Sequence, residues 1–217
     1  MTPKQMKLTL TPAKNKKKYY KVYADDEYLG QIPQMLIPDE YFLQSELTEK
    51  EIKSFYVWKK VIGEWVSKKA IELLLDYLAK MEHTVYDCMM FLKKCSIPQP
   101  IIEATVSEAI KHKWVSDERY AELYTQDSIL AGRSSREIKH KLQQKRVKPE
   151  IINKVIANLI KPETQREIIT ELIDKLIERY ADQPPQKRFE KIATALYRKG
   201  FNYTDYEDIL KAKNGKG

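Results

Sequence analysis

The chain has 217 residues, of which 42% are hydrophobic and 32% charged, and its 39 Lys and Arg against 31 Asp and Glu leave a net charge of +8. No run of eighteen apolar residues occurs and the Lys-rich start has no apolar leader segment, which excludes a membrane-spanning helix and predicts a cytoplasmic protein. Six glycines leave no phosphate-binding loop, and so high a charged fraction suits a thin array with much exposed surface better than a compact enzyme around one spherical core.

The first twenty-one residues carry Lys4, Lys7, Lys14, Lys16, Lys17, Lys18 and Lys21 without an acid, and read as a disordered, solubilising tail. Two β-prone runs within 19–32 then flank Ala24-Asp25-Asp26 and predict a hairpin. Cross-strand aromatic pairs account for its tyrosines; stacking on single-stranded bases is the functional alternative. Pro33 and Pro38 break the chain, a short helix fits 39–43, and Thr48 with Glu51 makes a capping box for a long helix that runs to Met81. The apolar side of that helix is expected to hold Ile52, Phe55, Val61, Ile62, Trp65, Ile71, Leu74, Leu75 and Leu78.

From residue 70 onward the chain repeats itself. Residues 70–111 superimpose on 120–161 at a constant offset of fifty, pairing Leu73 with Leu123, Cys88 with Ile138, Leu92 with Leu142, Ile97 with Val147, Ile102 with Ile152 and Ile110 with Ile160. A third copy follows at an offset of fifty-four, with Ile192, Leu196, Phe201, Tyr206 and Leu210 at the equivalent places. Tandem units of this length indicate an array whose members bury their apolar faces partly against each other, and arrays bind more often than they catalyse.

The middle copy shows the plan of one unit. Ser116 caps a first helix with Asp117 and Glu118 in its opening turn, where carboxylates favour the positive end of the helix dipole. Gly132 stops that helix, Ser134 or Ser135 caps a short second one, and Pro149 opens a third with the apolar stripe Ile151, Ile152, Val155, Ile156 and Leu159. Pro162 ends the unit. The first copy uses Thr84 and Pro98 at matching places; the third uses Pro184, Pro185 and Gly200, with Thr204 capping its last helix. The chain thus reads as mostly α: three tandem three-helix repeats in an elongated curved array behind a small N-terminal β-hairpin-containing segment. Its divisions are 1–48 for the basic tail and hairpin, 49–114 for the long helix and module 1, 115–162 for module 2 and 163–217 for module 3.

No catalytic constellation emerges. Cys88 and Cys95 are seven residues apart with no metal-ligand spacing and read as free thiols, Cys88 in the core. His83, His112 and His140 are scattered, so neither a metal nor a cofactor is expected. The distribution of charge is more informative. Residues 131–148 hold Arg133, Arg136, Lys139, Lys141, Lys145, Arg146 and Lys148 against Glu137 alone. A solvated helix face is the bland reading of such a run; the functional one is a surface for a polyanion or an acidic protein groove. Its Lys and Arg suit phosphates better than base edges.

The stretch Trp114-Val115-Ser116-Asp117-Glu118-Arg119-Tyr120-Ala121, then Gly132-Arg133, then 138–147 (Ile-Lys-His-Lys-Leu-Gln-Gln-Lys-Arg-Val), resembles the RecX family, bacterial regulators of the recombinase RecA. The family's turn after the second helix carries a glycine; here Arg146 stands at that place in module 2 and Gly200 in module 3. The resemblance covers about 65–212 and implies a non-enzymatic modulator that lies in the groove of the RecA filament on DNA, bridges protomers and lowers ATPase and strand exchange; a monomer is expected. From charge and placement, the candidate contacts with the filament or its single- or double-stranded DNA are Arg133, Arg136, Lys139, Lys141, Lys145 and Arg146, with Arg188, Lys191, Arg198 and Lys199 as the equivalent surface of module 3. A DNA-binding protein that acts without the recombinase is the alternative, and a scaffold for another acidic protein a weaker third.

Overall fold

The acidic turn closes the predicted hairpin because Asp25 and Asp26 both adopt positive φ, 45° and 65°, a conformation that short polar side chains tolerate best after glycine. In a computed structural model of the chain, which describes residues 6–14, 16–43, 46–47 and 49–214, the hairpin strands are β2 (Tyr19–Ala24) and β3 (Glu27–Pro33). They belong to a larger antiparallel sheet of order β3-β2-β1-β4, completed by β1 (Met6–Pro12) and β4 (Glu46–Leu47). Lys4 and Thr48, the residue expected to cap the long helix, lie outside the described residues.

Over residues 6–14 and 16–21 the lysine-rich start is therefore not a disordered tail. Lys7 lies on β1 and Lys21 on β2, while Lys14, Lys16, Lys17 and Lys18 occupy their connection. That connection is tied down by the Ala13 N–H donating to the Tyr19 carbonyl and the Gln34 N–H donating to the Lys18 carbonyl, each at 2.8 Å. The alternation Met6, Lys7, Leu8 explains the strand: Met6 and Leu8 are buried while Lys7 faces out.

The chain divides into two compact units, Met1–Val115 and Ser116–Gly217. In the first, a short helix α1 (Glu40–Leu43) leads to α2 (Glu49–Leu78), followed by α3 (Val85–Lys94) and α4 (Gln99–Lys111). The buried stripe of α2 is Phe55, Trp58, Ile62, Val66, Ala70 and Leu74, at spacings of three and four. Val61 and Leu75, expected inside, fall beside that stripe and are 48% and 42% exposed. Gly30 lets β3 approach α2 closely: it has φ 145°, and a Cβ there would stand 2.8 Å from Val66 Cγ2. The Trp58 indole donates to the Leu36 carbonyl at 2.8 Å, and the Tyr28 hydroxyl to the Ser96 carbonyl at 2.7 Å. Sheet, α2 and the α3–α4 pair consequently share one core.

The second unit holds α5 (Asp117–Leu130), α6 (Ser135–Gln144), α7 (Pro149–Leu159), α8 (Pro162–Arg179), α9 (Pro185–Arg198) and α10 (Tyr203–Asn214). It contains two apolar clusters, one around Ile138, Leu142 and Ile152 and one around Ile192, Leu196 and Tyr206. The repeat is visible side chain by side chain: Cys88, Ile138 and Ile192 are fully buried, as are Leu92, Leu142 and Leu196. The first-helix pairing of Leu73 with Leu123 does not mark the core, since Leu123 is exposed and α5 buries Ala121, Thr125 and Ser128 instead. Ile110, paired with Ile160, is exposed too.

The turn after each second helix has one conformation. Ser96, Arg146 and Gly200 sit at φ 61°, 60° and 87°, and the next residue, Ile97, Val147 or Phe201, donates its N–H back to Leu92, Leu142 or Leu196. This left-handed closure satisfies the helix's last carbonyls while driving the following apolar side chain into the core. Thr84 and Ser134 cap α3 and α6 by accepting the N–H of Asp87 and Glu137. In the third copy α9 starts four residues before the place equivalent to Ser135, so Arg188 occupies the place of the cap. Thr204 is not the cap of α10: the helix begins at Tyr203, and the Asp205 carboxylate reaches back to accept the Asn202 N–H at 2.8 Å.

Two outcomes test this description. Gly200→Ala places a Cβ inside the van der Waals envelope of Ser134 Oγ at a positive φ, and is expected to destabilise the second unit by about 1–3 kcal/mol, read by thermal denaturation. Burial pushes the Tyr28 hydroxyl up to about 12, with the neighbouring Tyr23 adding to the rise and the Ser96 side chain opposing it. Because the folded value lies above the unfolded one, this contribution is complete below pH 10 and lost as pH rises towards 12. Alkaline melts followed through the first unit's tryptophans should show that loss, and Tyr28→Phe should flatten it.

Candidate partner-binding surface

Helix α6 is short, so its two fully buried residues, Ile138 and Leu142, fix which side faces inward. Arg136 and Lys139, three apart, share the outward side, whereas Lys141 is two residues beyond Lys139 and points to a different flank. The run of charge that looks continuous in the sequence is therefore divided by the helix.

Three of its basic members have side-chain partners within the unit. Arg133 Nη1 donates to the Tyr124 hydroxyl at 2.7 Å, its guanidinium stands 5.8 Å from the ring centroid, and Nε is 3.7 Å from Glu137. Arg136 Nη1 donates to Asn202 Oδ1 at 3.2 Å and its guanidinium lies 5.8 Å from the Tyr197 ring. Lys139 Nζ donates to Asn153 Oδ1 at 3.1 Å on α7. Lys145 is the C-cap of α6, and Arg146 occupies the left-handed turn with its side chain exposed.

The third module departs from the expected equivalence. Arg188 is buried at 9% exposure, donating from Nε to Asn214 Oδ1 at 2.8 Å and from Nη2 to the Asn214 carbonyl at 3.2 Å. It locks α10 onto α9 and offers nothing to a partner, because the extra turn of α9 carries it into the cap position. Lys191 is half-buried, donating to Gln183 at 3.0 Å with Nζ 5.3 Å from the Tyr180 ring. Arg198 is exposed at the end of α9 and Lys199 is its C-cap.

The structure joins two of these groups. Tyr197 and Asn202, which hold Arg136, bracket Arg198-Lys199-Gly200, and Gly200 packs on the Ser134 cap. The α9–α10 turn is thus seated against the start of α6, with Arg136 held across to the residues that flank Arg198 and Lys199. Asn202 and Tyr197 are the residues that sequence reasoning missed; their nearest signal is their position around the turn glycine. Elsewhere in the unit, Lys154 pairs with Glu118 at 2.7 Å, and that hydrogen bond raises its pKa; Arg166 pairs with Asp208 at 2.6 Å and lowers the carboxyl's. Among the described residues no group of three or more His, Cys, Asp and Glu is placed to hold a metal ion, and no helix is long and apolar enough to cross a membrane.

Comparison with known proteins points to one family. Residues 116–156 match the family described as RecX, second three-helix domain. A regulatory protein RecX from Streptococcus uberis is 31% identical over 143 residues, which cover 65% of this chain and 51% of that protein, so the matched part spans about half of it. One from Limosilactobacillus reuteri is 27% identical over 205 residues, covering 94% and 75%. A crystal structure of regulatory protein RecX superimposes with a TM-score of 0.63 at 26% identity, covering 95% of this chain and 99% of the other. RecX from Lactobacillus salivarius shares the fold, with a TM-score of 0.62 at 24% identity over 68% of this chain and 96% of its own.

Arg146 separates folding from binding. Since a non-glycine residue in the left-handed region is strained, Arg146→Gly is expected to keep or raise stability, by up to about 1 kcal/mol. A lowered melting temperature would show instead that the arginine side chain stabilises the turn.

Proposed function

The chain belongs to the RecX family, and from that premise we propose that it is a non-enzymatic regulator of the RecA recombinase. As a monomer it binds along the groove of the RecA filament on DNA, bridges neighbouring protomers and lowers ATP hydrolysis and strand exchange. Three helical modules in series spread contact over several protomers, and modest contacts that are linked add up to useful avidity.

The observation that carries this reading is the seam between two modules, where Arg136 on α6 crosses to Asn202 and Tyr197 on either side of Arg198 and Lys199, with Lys139 on the same outward side of α6 as Arg136. It spans two modules, is held in place by side chains of its own unit, and presents guanidinium and ammonium groups that complement an acidic protein groove or phosphates. Arg133, Arg188 and Lys191 support the fold beneath it. The exposed Lys141, Arg146 and Lys148 suit phosphates equally, which favours a second reading, a DNA-binding protein acting without the recombinase.

Arg136→Glu, Lys139→Glu and Arg198→Glu combined should weaken inhibition of the recombinase's single-strand-dependent ATP hydrolysis at least tenfold, with unchanged helical content. Undiminished inhibition by a folded variant would remove this region from the mechanism. Parallel titration of bare DNA at two salt concentrations separates the readings: a filament regulator inhibits well below the concentration that coats DNA, whereas a competing DNA binder inhibits only when the DNA is saturated.

A further inference from the structure

The unit Met1–Val115 has a second basic surface that the reading above does not use. Two adjoining recesses, of about 240 and 280 Å³, share Gln31 on β3 and Ser96 in the α3–α4 turn. Lys16, Lys69 and Lys94 line the first and Lys14 and Lys21 the second, and neither has an Asp or Glu in its lining. Among the described residues only Lys69 is neutralised, by Glu72 at 2.9 Å. The other four ammonium groups, two in each adjoining recess, have no carboxylate in the described lining, an arrangement that an anion relieves.

The walls between these lysines are aromatic. Tyr19 and Trp65 line the first recess and Tyr23 the second, all three half-buried. Lys16 Nζ lies 3.7 Å from the Tyr19 ring centroid, and Tyr23 leans on Tyr28 at 5.2 Å. Strand pairing and the Tyr28 hydrogen bond to Ser96 hold the recesses on rigid elements. Cations that follow a backbone, interleaved with flat rings able to stack on bases, are the two components of single-strand recognition. A duplex keeps its base faces stacked inside and presents phosphates and groove edges, with no ring face for these aromatics to stack on.

We propose that these recesses bind single-stranded nucleic acid, with Lys14, Lys16, Lys21 and Lys94 on its phosphates and Tyr19 and Trp65 stacking its bases. The site shares no residue with the helical surface described above, and its test needs no recombinase, so each reading stands or fails alone.

The test titrates the full chain into a fluorescent oligothymidylate and follows anisotropy at several salt concentrations. Lys14→Glu, Lys16→Glu and Lys21→Glu combined should weaken binding at least tenfold and flatten the slope of log affinity against log salt by about 2, the loss of three single-strand phosphate contacts. Tyr19→Leu should weaken the single strand several-fold and leave a duplex of the same length unaffected. Cys95, half-buried in the first recess, provides a reporter in the unmodified chain, since Cys88 is buried. The oligothymidylate should slow alkylation of Cys95, and the helical-surface variant should leave that protection intact. Wild-type affinity and salt slope in the triple-lysine variant would overturn the proposal. So would protection of Cys95 by an acidic polypeptide but not by the oligothymidylate, which would make this a protein-docking surface.

Discussion

Every helical module depends on the left-handed residue that ends its second helix. At Ser96, Arg146 and Gly200 the chain reverses within one residue, the helix's carbonyls are satisfied by the two N–H groups that follow, and the next side chain is delivered into the core. Without that reversal, Ile97, Val147 and Phe201 would not reach the buried pairs Cys88 and Leu92, Ile138 and Leu142, Ile192 and Leu196. Glycine meets the requirement without strain, and serine and arginine at a modest cost offset by the packing that follows.

The third turn has an additional role. Because Gly200 lacks a side chain, its backbone closes on the Ser134 cap, and Arg136 crosses to Asn202 and Tyr197. A constraint of backbone conformation thereby becomes one of charge: it decides where a basic residue of one module meets the next. Arg188 shows the converse. One extra turn in α9 moves a basic residue from the expected surface into a buried bond with Asn214, where truncation would leave a polar partner unsatisfied.

Similarity to RecX proteins extends over most of the chain, including its N-terminal sheet, and the superimposed crystal structure covers nearly all of it. The sheet makes the first module different from the others. It shares a core with α2, α3 and α4, whereas the second and third modules each close on their own cluster.

Much of this was legible in the residues alone. The hairpin followed from β-prone runs around two aspartates, the helix starts from Ser116, Thr84 and Pro149, and the core positions of the second and third helices from the fifty-residue repeat, because caps, turns and apolar spacing are local properties. Three things were not. The lysine-rich start hid a strand, since its pairing with β2 is a tertiary event and charge masked the alternation of Met6 and Leu8. The first-helix core was misplaced at Leu123, because on α5 small residues, Ala121, Thr125 and Ser128, meet the neighbouring helices closely. The basic run of 131–148 looked like one surface. The sequence determined that these cations exist and that helices carry them; only tertiary packing decided that Arg188 would be absorbed into the fold while Arg136 crossed to the residues flanking Arg198 and Lys199. Side chains two residues apart on a helix diverge, and those sixty apart converge only where a turn is folded against them.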